Sequence, residues 1–237
     1  KLARKFGVEV EVGTPKVPYK ESIRITRRAE YKHKKQTGGS GQFAGVTGMI
    51  EPLPRDSEES FVFENKIFGG SIPSEHIQAC EKGFQDVMEK GPLAAFPMVG
   101  VKVTLRDGKY HDVDSSDLAY RLASRAAMKQ AVHKANPVLL EPIYEVKISA
   151  PSDFTPNVQR LITGRRGQVL GFSAKEDWTG WDETTFQMPQ AEMHDLIIEL
   201  RSLSLGVGSF EFEFDHLQEL TGRLADDVLA AAKSAEE

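Results

Sequence analysis

Apolar and polar positions follow two different periods along this chain, in two successive blocks. Over Ser22–Arg28, Ile23 and Ile25 alternate with Arg24 and Thr26, the two-residue period of a half-buried strand. Phe43–Glu51 predicts a second strand, and Phe61–Lys66 a third with Phe61 and Phe63 on one face. The period then lengthens. Ile77, Cys80, Phe84, Val87 and Met88 recur at three and four, which predicts a helix over Pro73–Lys90 stopped by Gly91-Pro92. Val99, Val101, Val103 and Leu105 alternate as another strand. A second helix is expected from a cap at Asp114 or Ser115, with the stripe Leu118, Leu122, Met128 and Val132, ending at Asn136-Pro137. Strands first and alternating elements afterwards imply an α+β sandwich with its helices on one face.

From Pro142 the order becomes β-α-β-β-α-β. Ile143–Ala150 is a strand. Asp153 or Thr155 caps a helix with Pro156 in its first turn and Val158, Leu161 and Ile162 on its apolar side. Val169–Ala174 and Trp181–Met188 are strands. Gln190–Leu203 reads as a helix carrying Met193, Leu196, Ile197 and Leu200. Ser209–Asp215 is a strand with Phe210, Phe212 and Phe214 on one face. This is the split βαβ, ferredoxin-like order. A last helix is expected over Leu217–Ala235. Residues 1–14 pair a possible helix end with the alternating Val8-Glu9-Val10-Glu11-Val12. They are too few for a core of their own, so they are expected to be the remnant of a preceding domain. The chain, which starts at Lys1, is expected to be part of a longer protein. The expected division is 1–14, 15–141 and 142–237.

Composition narrows the function classes. The chain has 237 residues, enough for two modest domains, and no apolar run approaches the ~18 residues of a membrane span, so no membrane partner is expected. A lone cysteine, Cys80, cannot form an internal disulfide and falls on an apolar helix face, which suits buried filler in a reducing compartment. The net charge of -5 conceals an asymmetry. Residues 1–40 carry eleven Lys/Arg against four Asp/Glu, and the remainder nineteen against thirty-one. A basic segment on an acidic body points to a locally contacted polyanion. A strand edge protected by lysines accounts for it equally well.

Two polar, glycine-containing turns stand out: Gln36-Thr37-Gly38-Gly39-Ser40-Gly41-Gln42-Phe43 and Asp107-Gly108-Lys109-Tyr110-His111-Asp112-Val113-Asp114-Ser115-Ser116. The first has three glycines in four residues, yet a strand and not a helix follows it, so it is a hairpin turn and not a phosphate-binding loop. Arg27, Arg28, Lys32, His33, Lys34 and Lys35 lead up to it with Tyr31 interleaved, a mixture suited to phosphates and exposed bases. His111 could serve as a structural turn residue, a polar contact, a base or a ligand, but no second histidine stands at metal-ligand spacing. In Gly164-Arg165-Arg166-Gly167 the arginines could clamp phosphates or complement a helix C-terminus. Trp178 and Trp181 flank a Thr-Gly turn that they are expected to brace. No nucleotide fingerprint, paired Cys-x-x-Cys or nucleophile elbow is present. The chain reads as a binding module with no catalytic, cofactor or metal residues of its own.

The two turns occur in order with Gly69-Gly70-Ser71-Ile72-Pro73, Gly91-Pro92-Leu93 and Pro137-Val138-Leu139-Leu140-Glu141-Pro142-Ile143. Arg165-Arg166-Gly167 and Leu200-Arg201-Ser202 extend the series. The ordered set closely resembles the C-terminal half of bacterial translation elongation factor G. The resemblance implies that residues 1–14 end the family's third domain. It implies that 15–141 form the fourth, a ribosomal-protein-S5 domain-2-like sandwich, and 142–237 the fifth, ferredoxin-like. It implies a ribosome-binding arm whose tip, Gly38, Gly39, Ser40, Gly41, Gln42 and His111, enters the small-subunit decoding site to promote tRNA–mRNA translocation. Beside that tip, the basic residues read above supply the RNA-contact candidates Arg27, Arg28, Lys32, Lys34, Lys35, Arg165 and Arg166. The fifth domain would contact large-subunit rRNA near the sarcin–ricin loop and the stalk base. GTP and Mg would belong to a catalytic domain of the parent chain, and a monomeric, cytoplasmic protein is implied. Three departures stand out: many members have arginine at the position of Ser40, Gly-Arg-Gly at Gly206-Val207-Gly208, and Phe-Gly-Tyr where His194-Asp195-Leu196 stands. These keep open a divergent paralogue acting in ribosome recycling or rescue. The acidic second half keeps open a protein-binding regulatory module.

Overall fold

The computed structural model describes residues 15–36 and 41–235. The remnant expected over 1–14, and Gly38, Gly39 and Ser40 of the first turn, lie outside the described residues. Contacts gather Tyr19–Leu140 with Leu217–Glu237 in one unit, and Glu141–His216 with the segment up to Pro18 in another.

The first unit is built on a sheet of order β2-β3-β5-β4: β2 (Arg27–Lys35), β3 (Gln42–Pro52), β4 (Phe61–Asn65) and β5 (Val101–Lys109). β2, β3 and β5 are antiparallel, and β4 runs parallel to β5. A parallel neighbour requires a crossover, which α1 (Ile77–Met88) supplies between β4 and β5. Together with α2 (Asp117–Lys134) it covers one face. Ala29, Ala44, Val46, Ile50, Val101, Val103 and Leu105 point into that layer and meet Cys80, Phe84, Tyr120 and Met128. The stripe expected on the second helix is shifted. Ala119, Ala123, Ala127 and Ala131 are buried, and Leu118 is exposed. Met128 and Val132 of the expected stripe are buried, but the alanines beside them, whose small side chains let the helix approach the sheet closely, were missed by a search for large apolar residues.

The single strand expected over Ser22–Arg28 is two strands, β1 (Lys20–Ile23) and β2, separated by a bend. β1 pairs with residues 137–140, the first part of β6 (Pro137–Pro151). This pairing seats Glu21 inside the unit at 0% exposure, where its carboxylate accepts the backbone N–H groups of Leu93, Ala94 and Phe96 at 2.8, 2.9 and 3.1 Å. Three N–H donors satisfy a buried carboxylate that would otherwise be costly. They also tie down the Gly91-Pro92-Leu93 segment.

The second unit follows the split βαβ plan: the rest of β6, α3 (Thr155–Gly164), β7 (Gln168–Ala174), β8 (Trp181–Pro189), α4 (Leu196–Leu203) and β9 (Ser209–Leu220). Its strand order is β9-β6-β8-β7, with β8 antiparallel to both β6 and β7. Val146, Ile148, Phe186 and Met188 pack against Val158, Ile162, Leu196 and Leu200. This two-sheet α+β architecture is the fold class expected from the sequence. The expected helix over Gln190–Leu203 is interrupted, because Asp195 takes a left-handed conformation at φ 59° and separates a short 3-10 turn from α4. Trp178 and Trp181 stack edge to face at 4.8 Å across the β7–β8 connection, bracing it as expected.

The chain end also differs from expectation. β9 continues to Leu220, and the last helix, α5 (Arg223–Ser234), starts after Gly222 at φ 68°. Leu220 and Ala225 are buried with Leu139, against Tyr19, Leu93 and Phe96. That burial outweighs the helical pattern of residues 217–222. Glu219 holds Arg24 at 2.8 Å and Arg55 at 2.9 Å. Burial pushes the Glu219 carboxyl up, but the bonds from Arg24 and Arg55 outweigh it and hold the group below its ordinary value. A depressed folded value means that the contribution is present at neutral pH and lost as pH falls through the folded value. Glu219→Gln is therefore expected to cost up to about 1 kcal/mol at neutral pH. Thermal melting in a pH series should show the deficit shrinking as the solution is acidified from about pH 5 toward pH 3.

Candidate functional site

The described end of the first polar turn, residues 41–43, and the second turn, more than sixty residues away in sequence, meet at one end of the first unit's sheet. The register explains why. β3 lies between β2 and β5, and its first residues pair on both sides: Gln42 opposite Lys35, and Gly45 opposite both Lys32 and Lys109. The β2–β3 reversal and the β5–α2 turn therefore leave the sheet side by side. Part of the second sequence motif is strand, since β5 runs through Asp107, Gly108 and Lys109 before the chain turns.

Backbone and side-chain bonds stitch the turns together. Phe43 N–H donates to the Asp114 carbonyl at 2.8 Å, and Gly41 N–H to Asp114 Oδ1 at 3.1 Å. Ser115 Oγ donates to the Phe43 carbonyl at 2.8 Å and accepts His111 N–H at 2.9 Å. These bonds engage the two residues expected to cap the helix. The cap is instead Ser116, which accepts Ala119 N–H at 3.3 Å. Beneath the turn, Tyr120 is fully buried and donates to the Lys109 carbonyl at 3.0 Å. Burial pushes its hydroxyl up to about 12, so it remains a donor at neutral pH.

His111 is 54% exposed. Its Nδ1 accepts the N–H groups of Val113 and Asp114 at 3.3 and 3.2 Å, so the ring proton is assigned to Nε2. Asp114 Oδ2 stands 3.8 Å from Nδ1. With a lone pair on that nitrogen, the approach is not an ion pair. Gln42 Oε1 lies 2.9 Å from His33 Nε2, and the Phe43 ring sits 6.1 Å from the His111 ring. Of the expected tip, Gly41, Gln42 and His111 are thus brought together. Asp114 and Ser115, read from the sequence as cap candidates, His33, read as part of the basic lead-in, and Phe43 join them although none was expected in the tip. The only signal for Asp114 was its place in an Asp-Ser-Ser run, which read as a helix cap.

The basic residues leading to the first turn form β2 itself, on the sheet edge. Ala29 is buried and Tyr31 and His33 are partly buried, while Arg28, Lys32 and Lys34 alternate onto the uncovered face. Arg27 donates to the Lys134 and Thr26 carbonyls, and Arg28 pairs with Glu30 at 2.9 Å. Lys32 Nζ stands 5.3 Å over the Phe43 ring. Lys34 and Lys35 are exposed.

Arg165 and Arg166 are not brought to this site and have partners inside the second unit. Arg165 donates to the Glu192 and His194 carbonyls at 2.7 Å each and pairs with Glu199. Arg166 grips Glu141 with two bonds of 3.0 and 2.8 Å and also bonds Glu192. Cys80 is buried, and burial pushes its thiol up to about 11, an unreactive setting. Among the described residues, no group of three or more His, Cys, Asp or Glu is placed to hold a metal. None of the described helices is long and apolar enough to cross a membrane.

A two-layer α+β unit with a stitched polar tip and a split βαβ unit follow one another along the chain. Residues 15–136 match the family "Elongation factor G, domain IV", and residues 138–228 match "Elongation factor G C-terminus". The chain belongs to the elongation factor G family. It is 44% identical over 228 residues to an elongation factor G-like protein of Synechocystis, covering 96% of this chain and 34% of that protein. It is 40% identical over 236 residues to elongation factor G of Rhodopirellula baltica, covering 100% of this chain and 34% of that protein. A crystal structure of a protein from Thermus thermophilus superposes with a TM-score of 0.86 at 38% identity, covering 98% of this chain and 34% of that one. The chain thus spans about a third of the length of these relatives.

The Glu141–Arg166 pair carries a stability prediction. Glu141 is 2% exposed, so removing its partner leaves a buried charge uncompensated. Arg166→Ala is expected to cost about 3 kcal/mol. Arg166→Lys should recover only part of that, because an ammonium cannot reproduce the two-pronged geometry. Urea unfolding followed by tryptophan fluorescence reads this directly, since Trp178 and Trp181 lie in the same unit.

Proposed function

We propose that this chain is the ribosome-binding arm of a translational GTPase, inserting the tip formed by its two turns into the small-subunit decoding site to promote tRNA–mRNA translocation. The observation that carries the reading is the convergence of Gly41, Gln42 and His111 at one end of a sheet whose edge strand is basic. In this reading, His111 offers Nε2–H to the RNA. Lys32, Lys34 and Lys35 contact phosphates, with Arg27 and Arg28 flanking them. The 142–237 region contacts large-subunit rRNA near the sarcin–ricin loop and the stalk base. Arg165 and Arg166 serve it first as internal braces. The parent chain supplies GTP and Mg chemistry through a separate catalytic domain and acts as a cytoplasmic monomer.

A second reading, a paralogue specialised for ribosome recycling or rescue, is favoured by Ser40 in place of the tip arginine found in many members. The name of the Synechocystis relative, elongation factor G-like protein, agrees with it.

Single-turnover translocation on purified ribosomes by the full-length factor separates the two. Rapid translocation is expected, with Ser40→Arg changing it little. Ribosome binding without translocation would favour the paralogue. Failure to bind ribosomes at any salt with a non-hydrolysable GTP analogue would overturn both. Lys32→Ala and Lys34→Ala should each weaken ribosome binding and reduce the slope of log affinity against log salt by about 1 per lost phosphate contact.

A further inference from the structure

We infer that Asp114 is the positioning residue that ties the start of β3 to the second turn, acting through Gly41 and Phe43 on one side and through His111 on the other. Three of its groups act at once. Its Oδ1 accepts Gly41 N–H at 3.1 Å, and its carbonyl accepts Phe43 N–H at 2.8 Å. Its own N–H donates to His111 Nδ1 at 3.2 Å. The first two bonds fix where the hairpin re-enters β3. The third holds the His111 ring and leaves Nε2–H as its outward donor.

Gly41 is the counterpart of this clamp. A Cβ placed there would meet Asp114 Oδ2 at 2.7 Å and Cγ at 2.8 Å, closer than real contacts allow. Glycine at 41 is therefore required by the carboxylate that the backbone approaches, since its φ is not in the left-handed region. Asp114 is only 16% exposed, so its carboxylate faces the Gly41 backbone more than solvent. A negative group at a tip read as RNA-binding makes sense as an internal brace whose carboxylate accepts the Gly41 N–H. The role rests on the function proposed above, with Asp114 touching neither RNA nor nucleotide.

The test uses the full-length factor carrying Asp114→Ala, Asp114→Asn, Gly41→Ala, or Asp114→Ala with Gly41→Ala. Hydrogen exchange read by mass spectrometry over residues 41–43 reports the clamp, whatever the factor does on the ribosome. Single-turnover translocation at saturating factor reports its use, and ribosome-stimulated GTP hydrolysis controls for folding and binding. Asp114→Ala and Gly41→Ala are each expected to lose amide protection at 41–43. Each should slow translocation on the order of 10- to 100-fold, and Asp114→Ala should leave GTP hydrolysis unchanged. The double variant should be no worse than either single one, because both break the same contact. Asp114→Asn keeps an acceptor and should restore protection and rate. Unchanged protection in Asp114→Ala, or multiplying defects in the double variant, would overturn the inference. If the unsubstituted factor does not translocate, the proposed function fails, and the exchange pattern of the four variants still decides the clamp.

Discussion

The arrangement depends on one constraint: β3 is a central strand, paired with β2 from Gln42 and with β5 from Gly45 onward. An antiparallel strand pair fixes where each neighbour ends, because a slip of one residue would turn Ala44 and Val46 out of the core and Phe43 and Gly45 into it. Once the core settles the register of β3, both chain reversals must emerge beside Gln42. Tyr120, on the buried face of α2 and bonded to the Lys109 carbonyl, anchors the end of β5. The bonds from Asp114 and Ser115 complete a position that packing has already dictated. Local polar chemistry at the tip is thus downstream of hydrophobic burial some distance away.

The sequence left two explanations of the basic segment open, protection of a strand edge and contact with a polyanion. β2 is an edge strand, and its alternation turns Ala29 inward while Arg28, Lys32 and Lys34 face outward. The same lysines that discourage another strand from pairing there face solvent, where the proposed polyanion contact would be made. The two explanations describe one surface. The acidic remainder of the chain does not dilute it, because many of its carboxylates have cations or N–H donors of their own. Glu141 holds Arg166, and Glu219 holds two arginines.

Element types were largely legible, because alternation at Val101-Lys102-Val103 and three-and-four spacing at Ile77, Cys80 and Phe84 report burial directly. The errors have specific causes. The helix over 117–134 buries alanines, which carry little weight in an apolar pattern, so Leu118 was placed inside and lies outside. Residues 217–220 continue a strand because Leu220 packs with Leu139, a contact between residues far apart in sequence. In the site, the turn residues themselves were visible as glycines and a histidine. Their joining was not, since Gly41 and Asp114 are 73 residues apart and only the register of β3 brings them together.

Arginine illustrates why residue type alone misleads. Arg165-Arg166 beside glycines reads as a phosphate clamp as readily as the Arg27-Arg28 pair does. Yet Arg166 is bound two-pronged to a buried carboxylate and Arg165 to two carbonyls and Glu199. Taking a guanidinium from such partners to bind a phosphate would leave Glu141 charged and unpaired, a cost of several kcal/mol that one exposed phosphate contact does not return. Lys34 and Lys35, on an exposed strand end, incur no such cost. A cation is available to RNA when the protein does not already depend on its charge, and by that criterion β2 is the better supported basic surface.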